Sequence, residues 1–157
     1  MKTLIPHALS LAKKAYSQGE VPVGALVVRG ESEVIGEGYN QREDLQDPTS
    51  HAEIHALQSA SRHLGSWRLE GCSMLVTLEP CMMCLATAQH ARIEKILYLA
   101  RDSKGGALSL GYRMHEDTRL NHRFSVEEIP TPEASELLSK FFQELRTRKK
   151  SRQSSDI

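Results

Sequence analysis

Apolar residues at Leu4, Ala8, Leu11, Ala12 and Ala15 recur at helical spacing, with Lys13 and Lys14 outside the stripe. The pattern predicts a helix from Thr3 to Gln18, ended by Gly19. The runs Pro22–Arg29 and Val34–Tyr39 are rich in β-formers, and Gly30-Glu31-Ser32-Glu33 between them predicts a hairpin. The first run is apolar on both faces, which suits a central strand. Asn40–Ser50 is polar and contains Asp47-Pro48, a loop by composition. A helix from His51 to about Leu64 follows, with Thr49 or Ser50 available to cap it. Ser73–Leu78 reads as a buried strand, Pro80 as a helix-start signal and Cys81–Ala91 as that helix. Lys95–Ala100 is the next strand. Arg101–Arg123 is irregular and basic, with room for a short helix, and Phe124–Ile129 is a fifth strand. The segment between these strands is long enough for a parallel crossover. From Pro132 to Lys150, the residues Ala134, Leu137, Leu138, Phe141, Phe142 and Leu145 form one stripe of an amphipathic helix. Residues 151–157 are polar and predict a disordered tail. With no repeat and no linker, residues 1–150 predict one α/β domain, helices packed on a central five-stranded sheet.

Composition narrows the class. The chain has 157 residues, 39% hydrophobic and 25% charged, as expected of one soluble globular domain. No apolar run approaches a membrane span, and the start lacks the apolar region of a signal peptide, so a cytoplasmic protein is expected. Three cysteines in a chain this long do not make a disulfide framework. The formal net charge is zero, which by itself does not point to nucleic acid. However, Arg146, Arg148, Lys149, Lys150 and Arg152 crowd the C-terminus, and such a cluster can steer a polyanion.

The candidate chemistry lies in His51-Ala52-Glu53 and Pro80-Cys81-Met82-Met83-Cys84. Positions i and i+2 of a helix point roughly 200° apart, so His51 and Glu53 cannot share an ion on the helix flank. They can share one lying off the helix N-terminus, toward which side chains lean. The same holds for Cys81 and Cys84 behind Pro80. Two helix N-termini are therefore expected to converge on one zinc ion, with His51, Cys81 and Cys84 as ligands. Three nitrogen and sulfur ligands leave the fourth tetrahedral position open for water. Zinc acidifies that water, and Glu53 is placed to take its proton and pass it to a leaving group. The chemistry expected is hydroxide attack on an sp² carbon bearing an amine. Three other readings compete. In a zincin-like site His51 and His55 would both bind zinc, but Ala52 stands where that motif has its glutamate. A Cys-x-x-Cys redox pair leaves His-x-Glu without a role. A structural zinc site needs a fourth ligand, for which only Cys72 remains.

The spacing His-x-Glu followed by Pro-Cys-x-x-Cys is the general signature of zinc-dependent nucleobase deaminases. The sequence resembles the cytidine/deoxycytidylate deaminase superfamily, and within it the bacterial tRNA-specific adenosine deaminases. The resemblance rests on Glu20–Ala25, Val34–Asn40, Asp47–Glu53, Thr77–Cys84, Ala100–Gly106, Leu120–His122 and Leu137–Phe142, nearly the whole chain. It implies a three-layer α/β/α fold with a mixed sheet, one zinc ion per chain and a homodimer. It also implies deamination of the wobble adenosine of a tRNA anticodon to inosine, by zinc-hydroxide attack on C6 with Glu53 as proton shuttle. Carried over by position, Asn40 would hydrogen-bond the flipped base or its ribose. The Ala52 backbone and the Val21-Pro22 edge would shape the base pocket. Asp102, Lys104, His122, Phe142 and Arg146 would lie along the path of the anticodon stem-loop. The chain departs from the family pattern at Ser50, at Leu85–Gln89 and around Ala107–Leu110. The alternatives are a free-base or nucleotide deaminase of the same fold, guanine first, and a non-catalytic zinc module. The basic C-terminal helix and the Arg101–Arg123 segment favour RNA, because a free base needs no phosphate contacts.

Overall fold

The computed structural model describes residues 1–155. A short 3₁₀ turn (Lys2–Leu4) leads into α1 (Ile5–Ser17), so the first helix starts two residues later than its stripe predicts. Then come β1 (Gly24–Arg29), β2 (Glu33–Tyr39), the one-turn α2 (Arg42–Leu45) and α3 (Ala52–Leu64). They are followed by β3 (Cys72–Val76), α4 (Met82–His90), β4 (Lys95–Tyr98), β5 (Ser125–Glu128) and α5 (Pro132–Ser155). All five predicted strands form. β1, β4 and β5 are shorter than predicted where the chain leaves the sheet, β2 starts one residue earlier, β3 spans Cys72–Val76 instead of Ser73–Leu78, and α2 interrupts the segment expected to be loop. The short helix expected in the basic segment is the 3₁₀ turn Met114–Glu116.

The sheet order is β2-β1-β3-β4-β5. β1 pairs antiparallel with β2 and β3, while β3, β4 and β5 run parallel. This is the mixed five-stranded α/β sheet expected from the sequence. β1 is central and buried on both faces, as its unbroken apolar run requires. Alternate residues sort to the two faces. Ala25, Val27, Met74, Val76, Ile96 and Tyr98 share one core with α3 and α4. Leu26, Val28, Leu75 and Leu97 share the other with Ala8 and Leu9 of α1 and Ala134 and Leu138 of α5. The result is a three-layer sandwich. No helix of the described residues is long and apolar enough to cross a membrane.

Two differences from expectation are informative. α5 continues to Ser155, although a disordered tail is predicted from Ser151; the last two residues of that tail lie outside the described residues. Arg, Lys and Gln are good helix formers and carry the helix on through residues 148–153. The second difference concerns α3. Neither Thr49 nor Ser50 caps it, because both turn to the Asp47 carboxylate instead. The N-cap is His51 itself, with no capping side chain.

Candidate active site

β3 and β4 run parallel toward one edge of the sheet, and α3 and α4 both begin at that edge. Each helix starts in the same way. His51 and Cys81 are the N-caps, both with extended backbone, and neither helix has a side-chain cap. Pro80 thus precedes the N-cap instead of opening the helix. The first amides of both helices are left free to face a negative charge, and their dipoles favour one.

Three donors meet between these two helix ends. The Nδ1 of His51 lies 3.6 Å from the Sγ of Cys81 and 3.5 Å from the Sγ of Cys84. Among the described residues these three form a group able to hold a metal ion. Zinc bonds of ~2.3 Å to sulfur and ~2.0 Å to nitrogen, at tetrahedral angles, give a sulfur–nitrogen edge of about 3.5 Å. The observed separations match it, and two thiols with one imidazole are a donor set that suits zinc. His55 is outside the group, so the zincin arrangement does not form. Cys72 is buried at the start of β3, the opposite end of that strand from the cluster, and its thiol faces the Glu70 carbonyl. It does not complete a closed four-ligand site.

The electrostatics single out one thiol and one acid. A hydrogen bond from the Cys84 thiol, reinforced by His51, draws Cys81 down to about 4. The same hydrogen bond, together with burial, pushes Cys84 up. His51 is raised, chiefly by its hydrogen bond to Cys81. Glu53, in the first turn of α3, is 4% exposed, and burial pushes its carboxyl up to about 7.

The other predicted residues divide. Val21, Pro22, Asn40 and Ala52 all belong to this edge of the sheet. Asn40 follows β2, is buried, and its Nδ2 donates to Oε2 of Glu20 at 3.3 Å. Ala52 is fully buried as the first residue of α3, Pro22 is buried and Val21 partly so. Asp102 and Lys104 lie on the loop after β4, where the Asp102 carboxylate accepts the amides of Lys104 and Gly105. Phe142 and Arg146 are exposed on α5, one turn apart, while Phe141 turns inward to pack edge-on against Tyr16. His122 departs from its predicted place. It stacks on Phe124 and its Nε2 lies 2.6 Å from the Ile93 carbonyl oxygen. Ile93 and Phe124 precede β4 and β5, so within one chain His122 is at the far end of the sheet from Cys81.

Two buried carboxylates were missed in the sequence. Glu20 accepts the Asp44 amide at 2.7 Å as well as Asn40. Glu79, 2% exposed, accepts from Asp102 and Ser109. The available signal was position: each is an acid set directly against apolar residues, before Val21-Pro22-Val23 and between Leu78 and Pro80.

A buried glutamate beside a trio of nitrogen and sulfur donors defines a class, the zinc-dependent deaminases. Residues 1–100 match the model of the cytidine and deoxycytidylate deaminase zinc-binding region. The tRNA-specific adenosine deaminase of Aquifex aeolicus is 48% identical over 88% of this chain and 91% of its own length. The protein of the same name from Bacillus subtilis is 42% identical over 92% and 89%. A structure from a study of A-to-I editing by tRNA:A34 deaminases at the wobble position superposes with a TM-score of 0.81 at 37% identity, covering 88% of this chain and all of the other. Guanine deaminase from Bacillus subtilis superposes less well, with a TM-score of 0.60 at 28% identity over 93% of both chains. The chain belongs to the cytidine and deoxycytidylate deaminase family, in its tRNA-specific adenosine deaminase branch.

Proposed function

We propose that this enzyme converts adenosine to inosine at the wobble position of a tRNA anticodon, releasing ammonia. The observation that carries the reading is the similarity to tRNA-specific adenosine deaminases along almost the full length of both chains. The likeness to a guanine deaminase is weaker in identity and superposition. It leaves free-base deamination as the outcome to be tested against.

His51, Cys81 and Cys84 would hold one zinc ion per chain, which when bound supplies a Lewis acid that acidifies water. Glu53 takes the proton of the attacking water and delivers it to the departing amine at C6. Burial raises its carboxyl above the usual carboxylate range, which makes it a better base toward the water and lets it hold the proton until the amine leaves. Its burial keeps bulk water from competing for that proton. Asn40 hydrogen-bonds the flipped base or its ribose, and the Ala52 backbone with the Val21-Pro22 edge shapes the base pocket. Asp102, Lys104, Phe142 and Arg146 lie along the anticodon loop, with the exposed Phe142 ring offering a stacking face. His122, held at the other end of the sheet, has no part in this path within one protomer. The active species is a homodimer in the cytoplasm, a reducing compartment in keeping with three free cysteines.

The test is a side-by-side assay of an anticodon stem-loop, free guanine and free cytosine. Inosine formed in the stem-loop is the expected result. Turnover of a free base without turnover of the stem-loop overturns the reading.

A further inference from the structure

We propose that Glu79 is a positioning residue. It fastens the Asp102–Ser109 loop to the segment that carries Cys81, and so sets how that loop meets the substrate. The inference rests on the tRNA reading above, in which Asp102 and Lys104 face the anticodon loop.

Glu79 lies two residues before Cys81 and is 2% exposed. Its Oε2 accepts the Asp102 amide at 3.0 Å and the Ser109 hydroxyl at 2.6 Å, while Oε1 accepts the Ser109 amide at 2.7 Å. These described partners are neutral donors from one loop. A buried carboxylate satisfied in this way is costly to disturb, since losing a donor leaves a charge without its hydrogen bond. The fastening is two-ended. Glu79 and Pro80 also pair with the loop and its approach through their backbones, the Glu79 amide to Ala100 and the Pro80 carbonyl to Ala107. Space around the carboxylate is closed as well. A Cβ on Gly106 would stand 2.5 Å from each Glu79 oxygen, so only glycine lets the loop come this near. Both ends of the loop therefore hang on one side chain. Between them, Asp102 organises the turn that presents Lys104, by accepting the amides of Lys104 and Gly105. None of these contacts touches His51, Cys84 or Glu53. The expected signature is a loss of substrate binding with the chemistry intact.

Ser109→Ala removes one of the three donors without altering the loop's backbone, and Gly106→Ala pushes against the carboxylate from the other side. Both variants should keep full zinc content and an unchanged kcat. Their KM for the anticodon stem-loop should rise by about tenfold, the scale of one lost hydrogen bond to a charged group. Amide exchange at Asp102 and Ser109 should quicken in both. Glu79→Gln, which keeps the shape but puts a donor where an acceptor is needed, should show the same split more strongly. An unchanged KM in Ser109→Ala and Gly106→Ala overturns the proposal, as does a fall in kcat at constant KM. If the parent enzyme itself fails to act on the stem-loop, the substrate reading has failed and this inference falls with it.

Discussion

Gly38 of β2 lies directly against the carbonyl of Ala52: a Cβ at Gly38 would overlap that oxygen and stand 2.6 Å from the Cβ of His55. The contact seats the first turn of α3 on the sheet, one residue after His51. Gly36 makes the equivalent approach to Ala60 one helical stretch further on. A methyl group at Gly38 must therefore lift the end of the helix that carries the site. Gly38→Ala should destabilise the fold by about 1–3 kcal/mol, the usual penalty of overpacking. It should also lower zinc content, which Gly30→Ala should not: that change strains the backbone at φ +60° in the β1–β2 turn, but nothing lies within 4 Å of a Cβ there. Urea titration and metal analysis of the two variants check this.

The ligand trio and the buried acid separate cleanly by mutation. His51→Ala and Cys84→Ala should purify with little zinc and no activity. Glu53→Gln should bind zinc at one per chain yet lose about 10²–10⁴ in kcat, the range expected when a positioned acid–base group is removed. A Gln variant with parental turnover would remove Glu53 from the mechanism. Chelation of the parent enzyme should abolish activity, and added zinc should restore it.

The approach to His51 has its own acid sensitivity. Asp47 accepts the Thr49 amide and hydroxyl at 2.8 Å and the Ser50 hydroxyl at 2.9 Å, and these bonds hold its carboxyl below the usual value. The folded value is lower than the unfolded one. Its contribution is therefore complete above the ordinary carboxylate value of about 4, and is lost as pH falls through the folded value. Asp47→Ala should melt below the parent at neutral pH, and the gap should close progressively as the solution is taken below about pH 4. Thermal melts across that range test the sign. A gap that widened toward acid would contradict it.

RNA contacts should divide by kind. If Arg146 meets a phosphate, Arg146→Ala lowers the slope of log affinity against log salt by about 0.7–0.9, the share of one counterion. Phe142→Ala should instead weaken binding by about 1–3 kcal/mol at every salt concentration, as loss of a stacked base does. Titrations of an anticodon stem-loop at several ionic strengths separate the two. An unaltered slope for Arg146→Ala would take that side chain off the phosphate path.

The order of the strands and of the longer helices, the two-faced strand β1 and the grouping of His51, Cys81 and Cys84 are legible in the chain alone. Each depends on local order: a period of 3.6 or 2, or a spacing of two or three residues at a helix start. The i, i+2 step from His51 to Glu53 already puts ligand and acid at a helix end, and the folded chain adds the 3.5 and 3.6 Å separations that fit a metal. Other features depend on residues far apart in sequence. Glu79 and Ser109 are 30 positions apart, and Glu20 meets Asn40 across 20. Their apolar neighbours hint at burial, but nothing local says what satisfies either acid. The cap of α3 was also decided at tertiary level, because Asp47 competes for Thr49 and Ser50 and leaves the helix without a side-chain cap at His51. His122 was displaced from its expected place for a similar reason: stacking on Phe124 and contact with the Ile93 carbonyl hold it at the opposite end of the sheet. The sequence by itself determined which side chains can do the chemistry. The tertiary structure decided which ones meet, since burial and long-range hydrogen bonds exist only once the layers have packed.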